Sequence, residues 1–149
     1  MSLDPPASWP GADGAPLSCR EKLKVLEENH RELRDYCQSK GIEFLSTPFD
    51  EESADLLDRL GLPRFKISSG EVTNPFFLRH IARKGKPIIL STGMCEFSEV
   101  ETALATIRAE REVPVTLLHC TTSYPTAAAE VNLRAMDTLR ESLQVPVGY

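Results

Sequence analysis

The sequence lacks the long apolar runs, basic clusters and paired cysteines that mark several classes of protein. None of its apolar runs approaches the roughly 18–20 residues that span a bilayer, and its N-terminus has no secretory pattern. Its net charge is −5, with no Lys/Arg cluster of the kind that binds nucleic acid. None of its four cysteines forms a C-x-x-C pair, which argues against a zinc knuckle or a redox motif. These absences predict a soluble, cytoplasmic protein that binds neither nucleic acid nor membranes.

The composition is that of about one globular domain. The chain has 149 residues, of which 41% are hydrophobic and 26% are charged. Residues 1–19 are rich in Pro and Gly and have no sustained periodicity, which predicts a flexible leader. The folded domain is therefore expected at residues 20–149.

Helical and strand patterns alternate through that domain. Helix-like spacing of apolar residues, with glycine stops at Gly41, Gly61 and Gly85, predicts helices at 20–39, 51–60, 74–83, 98–111 and 133–142. We expect Asp50 to cap the second of these helices, and Ser98 with Glu101 to form a capping box on the fourth. Short apolar runs predict strands at 42–46, 64–69, 87–90, 115–119 and 145–149.

This alternation predicts a parallel α/β sheet with both faces covered by helices. An open doubly wound sheet and a (β/α)₈ barrel both fit the pattern. Polar residues follow several strands, which favours the barrel, because its active site is built from the C-terminal strand ends. A full barrel needs eight pairs and about 250 residues. We therefore predict an incomplete TIM-type barrel of about five parallel strands.

The residues that could bind a ligand or take part in catalysis lie at the ends of the predicted strands. An apolar run at Phe65 leads into Lys66 and then Glu71, with Gly70 allowing close approach of a ligand. The cysteines are expected to be isolated buried thiols, although Cys95 and Cys120 lie near strand ends, where one could touch a ligand. We interpret His119 as a packed core histidine.

Six motifs, in order and in spacing, resemble the sialic acid synthase family, and the resemblance covers the central part of the barrel domain from about Arg20 onward. The motifs are Ser46-Thr47-Pro48-Phe49-Asp50, Lys66-Ile67-Ser68-Ser69-Gly70-Glu71, Gly85-Lys86-Pro87-Ile88-Ile89-Leu90-Ser91-Thr92-Gly93-Met94, Cys120-Thr121-Thr122-Ser123-Tyr124-Pro125, Val131-Asn132-Leu133 and Val147-Gly148-Tyr149.

The resemblance implies a transferase that condenses phosphoenolpyruvate with an N-acylhexosamine such as N-acetylmannosamine. The product is a nine-carbon 2-keto sugar acid, N-acetylneuraminate, and phosphate is released. A divalent metal, Mn²⁺ or Mg²⁺, is expected to serve the full-length family, which is expected to be a homodimer. A synthase for a related acid, such as legionaminic acid, is the alternative enzyme.

The resemblance also implies which residues meet phosphoenolpyruvate. Lys66 matches the family lysine that meets the anion, with hydroxyls from Thr47, Ser69 and Ser91 around its phosphate and carboxylate. Thr122 stands where many members have asparagine beside the phosphate. Structural roles compete with these assignments, because a strand-end lysine can extend its ammonium into solvent and hydroxyls often cap strand ends.

Two further residues match the family's sugar pocket. Glu71 resembles the carboxylate that contacts the hexosamine and takes part in proton transfer, so Lys66 and Glu71 are the candidate catalytic residues. Tyr124 resembles a tyrosine that lines the pocket. A structural ion pair from Glu71 to Lys66, and a loop-anchoring role for Tyr124, are the competing interpretations.

Parts of the family pattern do not occur in the sequence. The motifs of the first two strands, the last strand, the C-terminal antifreeze-like domain and the histidines that bind the metal are not found. We therefore expect no metal ligands in this chain and no activity from it alone. A non-catalytic fragment that at most binds a small anion or a partner subunit is the third interpretation.

Overall fold

The computed structural model describes residues 19–149, with side chains from residue 27 onward. The predicted leader at 1–19 lies almost entirely outside these residues. The described chain divides into two units, one ending at Phe44 and one running from Leu45 to Tyr149. Among the described helices, none combines the length and the apolar composition of a membrane-spanning segment.

Within the described residues, five α-helices lie where the apolar spacing predicts them. Asp50 caps the second helix as expected, because its carboxylate accepts a hydrogen bond from the backbone N–H of Ser53 at 2.6 Å. Gly41, Gly61 and Gly85 have φ values of 69°, 77° and 71°, the left-handed conformation that ends helices. The helices are α1 (Cys19–Ser39), α2 (Glu51–Arg59), α3 (Pro75–Arg83), α4 (Phe97–Glu110) and α5 (Arg134–Leu143).

The described part of the chain also contains one parallel sheet of four strands, in the order β1-β2-β3-β4. The strands are β1 (Phe65–Ile67), β2 (Ile88–Ser91), β3 (Val115–Leu118) and β4 (Val147–Gly148). A doubly wound sheet reverses its strand order at a switch point, whereas a barrel wall runs in sequence. The structure thus confirms the α/β class and an incomplete barrel.

Only one face of this sheet is fully buried. Phe65 and Ile67 are 0% exposed, whereas Lys66 between them is half-buried. The same alternation occurs in β3, where Thr116 and Leu118 are half-buried. The expectation of burial on both faces is therefore wrong. Crossovers of one hand place consecutive helices on one side, and α3 contacts both α2 and α4 there.

Two local predictions are also wrong. No described strand forms at 42–46, where Ile42 is 59% exposed, because an extended segment becomes a strand only when it finds a hydrogen-bonding neighbour. The capping residues of α4 lie two positions earlier than predicted. The Glu99 carboxylate accepts a hydrogen bond from the Glu96 backbone N–H at 2.8 Å, and Ser98 lies inside the helix.

Candidate functional site

The ends of β1 and β2 bring Lys66 and Ser91 into contact. The Lys66 ammonium donates to the Ser91 hydroxyl at 2.6 Å and to the Ile67 carbonyl at 3.0 Å. Among the described residues these are the two acceptors found for its three N–H groups, so one donor is available to a ligand. Burial lowers the pKa of Lys66 below its ordinary value. The site therefore holds a partly dehydrated cation beside a hydroxyl.

Gly93 lies where two more of the predicted hydroxyls approach each other. A side-chain carbon at position 93 would lie 2.8 Å from the Thr122 hydroxyl oxygen and 3.4 Å from that of Ser69. The carbonyl oxygen of Cys120 would lie 3.3 Å away. Residue 93 is buried, so only glycine leaves this small space open between the two hydroxyls. Ser69 and Thr122 thus converge on one point after the strands.

Glu71 is held by the residue that caps α3. The Asn74 amide donates to the Glu71 carboxylate at 2.9 Å, and its carbonyl oxygen accepts from the Phe77 backbone N–H at 3.2 Å. No ion pair between Glu71 and Lys66 occurs among the described residues. Glu71 is half-buried, so its carboxylate is oriented by an amide and is not neutralised by the lysine.

Thr47 and Tyr124 are not brought into this cluster. Thr47 is half-buried and precedes the buried Pro48. The Tyr124 side chain is 87% exposed. Across the described residues, no hydrogen bond joins either side chain to Lys66 or Ser91. Their assigned roles therefore stay predictions.

A cavity of about 430 Å³ lies beside the cluster, between the ends of β2 and β3 and the first turns of α4 and α5. Its lining includes Cys95, Cys120, His119 and Arg134. His119 is half-buried and contacts the Val131 carbonyl at 2.8 Å, so the core position expected for it is wrong. The two cysteines are also half-buried, not buried as expected. All three residues follow the last residues of β2 or β3 and line the cavity, which leaves them partly exposed.

Sequence reasoning assigned no role to Gly93, Asn74 or Arg134. For Gly93 a signal existed, because a glycine directly after a strand often marks a close approach. Asn74 precedes Pro75, and in the sequence this pair indicates only the start of a helix. Arg134 carries no local signal, because only the packing of α5 against the strand ends brings it to the cavity.

A divalent metal does not fit the residues present. Among the described residues, no three His, Cys, Asp or Glu side chains lie together as a metal site. A bound Mn²⁺ or Mg²⁺ needs several oxygen or nitrogen ligands. No chemical step is therefore assigned to a metal held by these residues.

Comparison with known proteins places these observations in a family. The model of the NeuB family matches residues 8–149. The N,N'-diacetyllegionaminic acid synthase of Legionella pneumophila is 47% identical over 131 residues, covering 85% of this chain and 37% of the relative. The enzyme of the same name from Campylobacter jejuni is 47% identical, covering 92% of this chain and 42% of the relative.

Among solved structures, a sialic acid synthetase from Leptospira borgpetersenii, in complex with citrate, superposes with a TM-score of 0.79. It is 35% identical, and the match covers 83% of this chain and 43% of that one. The present chain thus spans about two fifths of the length of the relatives that it matches.

Proposed function

We propose, since the chain belongs to the NeuB family, that it supplies the phosphoenolpyruvate-binding wall of a nonulosonic acid synthase. The proposed enzyme condenses phosphoenolpyruvate with an N-acylhexosamine and releases phosphate. Relatives at 47% identity are legionaminic acid synthases, and a structural relative is a sialic acid synthetase. All three support a condensation of this class.

The contact between Lys66 and Ser91 is the observation that carries this proposal. Phosphoenolpyruvate bears a phosphate and a carboxylate, which are strong acceptors of charge-assisted hydrogen bonds. Lys66 presents a partly dehydrated ammonium, and electrostatic attraction is stronger where water is excluded. Ser69 and Thr122 add hydroxyl donors that meet at Gly93. Lys66 and Ser91 lie on two different strands, and Ser69 and Thr122 follow β1 and β3, so the proposed site depends on the sheet and not on one loop.

The proposed role of Glu71 is to face the hexosamine. Asn74 holds one carboxylate oxygen at 2.9 Å, which leaves the other able to accept a sugar hydroxyl or a proton. Thr47 and Tyr124 are proposed to complete the phosphate and sugar contacts, respectively. In this arrangement the chain's own residues bind and orient the two substrates.

Two acceptor sugars are candidates for the proposed enzyme. Sialic acid synthesis from N-acetylmannosamine is the first candidate. Legionaminic acid synthesis is favoured by a specific observation, because the legionaminic acid synthases are 47% identical and the sialic acid synthetase of known structure is 35% identical. Competition between N-acetylmannosamine and the hexosamine precursor of legionaminic acid, with phosphate release as the readout, would distinguish the two activities in an enzyme that contains this chain.

Calorimetric titration of the chain with phosphoenolpyruvate tests the binding proposal. We expect saturable binding that is tighter than the binding of pyruvate, which lacks the phosphate, and of inorganic phosphate, which lacks the carboxylate. Equal affinity for all three anions, or no binding, would contradict the proposal. The last result would favour a fragment without a role in catalysis.

A further inference from the structure

His119 lies where three segments of the chain meet. Its backbone N–H donates to the Gly148 carbonyl at 2.9 Å, which continues the pairing of β3 with β4. The centroid of its ring lies 6.0 Å from that of the Tyr149 ring, and the two rings are tilted by 56°. Its Nε2 lies 2.8 Å from the carbonyl oxygen of Val131. This half-buried residue thus joins the ends of two strands to a residue twelve positions further along the chain.

The contact with Val131 closes the loop formed by residues 120–131. A carbonyl oxygen can only accept, so the Nε2 of His119 carries a hydrogen and donates it. Among the described residues, the other hydrogen bonds of this loop run within it or to the adjacent Leu118. They join Thr126 to Ser123, Glu130 to Ala127, and Cys120 to Leu118. The ring of His119 is therefore the side chain that ties the far end of the loop to the sheet.

This loop carries Thr122 and Tyr124, two of the residues assigned to substrate binding. Both side chains are exposed, so burial does not fix their positions. Exposed loops with few contacts open locally at a small cost in free energy. The Thr122 hydroxyl nevertheless approaches Gly93 so closely that a side-chain carbon there would lie 2.8 Å from it. Its position therefore depends on how the two ends of the loop are held, one by β3 and the other by His119.

We propose that His119 is a positioning residue, which holds the loop at 120–131 closed and so keeps the Thr122 hydroxyl at Gly93, where it meets the anion. The identity of that anion as phosphoenolpyruvate rests on the proposed function. His119 acts through the bond to Val131 and does not itself touch the substrate. A donor that is held in place before binding lowers the conformational entropy that binding costs.

Two substitutions separate the hydrogen bond of His119 from its ring contact. His119→Phe keeps an aromatic ring beside Tyr149 but has no N–H to donate to Val131. His119→Gln keeps an N–H donor on a side chain of similar reach but loses the ring. If His119 only packs, the Gln variant is the more impaired of the two, whereas the proposed role makes the Phe variant the more impaired. Urea denaturation shows that each variant is folded.

Limited proteolysis with a glutamyl endopeptidase measures the closure of the loop without any ligand. The Glu130–Val131 bond lies at the closure, and the Glu112–Val113 bond after α4 is a matched control with the same two residue types. Cleavage after Glu130 is expected to be roughly three- to tenfold faster in His119→Phe, because one hydrogen bond no longer opposes local opening. His119→Gln should be cleaved there at close to the original rate, and cleavage after Glu112 should not change. Unchanged cleavage after Glu130 in His119→Phe, or equal acceleration in both variants, would overturn the proposal.

Calorimetric titration with phosphoenolpyruvate tests whether the loop acts through Thr122. We expect His119→Phe to raise Kd roughly three- to tenfold and His119→Gln to restore the original affinity. In a Thr122→Val background, His119→Phe should cause no further loss, because the two residues act in series. Additive losses would overturn the positioning role while leaving the proposed function intact. If the original chain does not bind phosphoenolpyruvate, the proposed function fails, and the cleavage rates alone decide whether His119 holds the loop.

Discussion

The Lys66 ammonium lies 2.6 Å from the Ser91 hydroxyl, although 25 residues separate them in the chain. The parallel register pairs Lys66 with Ile89, so Ser91 is two residues further along the same face of the neighbouring strand. Residues from two separate motifs, Lys66 and Ser91, therefore form one cluster of hydrogen-bond donors. This contact defines the position that an anion is expected to occupy.

Lys66→Met is expected to weaken phosphoenolpyruvate binding by about 2–3 kcal/mol, or roughly 30- to 150-fold in Kd, because it removes a charge-assisted donor. Calorimetric titration measures the change. Lys40→Met is the matched control, since Lys40 is an exposed lysine in the first unit and lies over the Tyr36 ring. A similar loss in both variants would show that net charge, and not the site, holds the anion.

The lowered pKa of Lys66 predicts a specific pH dependence. In the unfolded chain the lysine titrates near its ordinary value of 10.5, so between the lowered pKa and that value the unfolded state binds more protons. The free energy of unfolding should therefore rise with pH in this window, while anion affinity falls because the ammonium loses its charge. Urea denaturation and titration across the alkaline range measure both. If the free energy of unfolding of Lys66→Met rises with pH as steeply as that of the original protein, Lys66 is not the group responsible.

Gly93→Ala tests the space between the hydroxyls. The new methyl group would lie 2.8 Å from the Thr122 oxygen, so Thr122 must rotate away. Because that side chain is exposed, we expect a stability loss of only about 1 kcal/mol but a clear loss of anion affinity. Gly70→Ala is the control, since its methyl group would meet nothing within 4 Å. Unchanged affinity in Gly93→Ala would exclude this position from the site.

Asn74 has two roles that substitutions can separate. Asn74→Ala removes both the cap on α3 and the bond to Glu71, and we expect it to cost about 1 kcal/mol in the free energy of unfolding. Asn74→Ser keeps an oxygen acceptor for the Phe77 N–H, as expected of a helix-capping residue, but loses the amide that donates to Glu71 and adds no charge. Chemical denaturation should therefore place Asn74→Ser closer to the original protein. Equal destabilisation by both changes would mean that the bond to Glu71, and not the cap, dominates.

Asp55 predicts a loss of stability in acid. A hydrogen bond from Lys84 holds its pKa below the ordinary value of 3.8, with a further contribution from His80. A carboxylate of lowered pKa stabilises the fold above its unfolded value, and that contribution is lost as pH falls through the folded value. Below about pH 4 the free energy of unfolding should therefore fall less steeply with decreasing pH in Asp55→Asn than in the original protein.

Asp137→Asn makes the same charge change on α5, where Asp137 pairs with Arg140 within the helix at 2.8 Å. Stability curves measured by denaturation at several acidic pH values compare the two variants. The prediction fails if Asp137→Asn reduces the pH dependence of the free energy of unfolding in acid as much as Asp55→Asn does.

The helices could be read from the sequence because their signals are local. Apolar spacing, the Asp50 cap and glycines of positive φ act within one or two turns, so α2 and α3 lie within a residue or so of the predicted bounds. The apolar pattern at 42–46 also predicts a strand, but none forms there among the described residues. A strand depends on a neighbour that is distant in sequence, which no local pattern reports.

For the site, the residue types and the strand ends that carry them follow from the sequence, and motif resemblance selects Lys66 and Ser91. Which of these groups meet depends on the tertiary structure. The parallel register brings Lys66 to Ser91 and the loops bring Thr122 to Gly93, while Tyr124 remains 87% exposed. The physical reason is that a hydrogen bond between residues 25 apart depends on the pairing of two strands, and that pairing is set by the packing of the whole sheet.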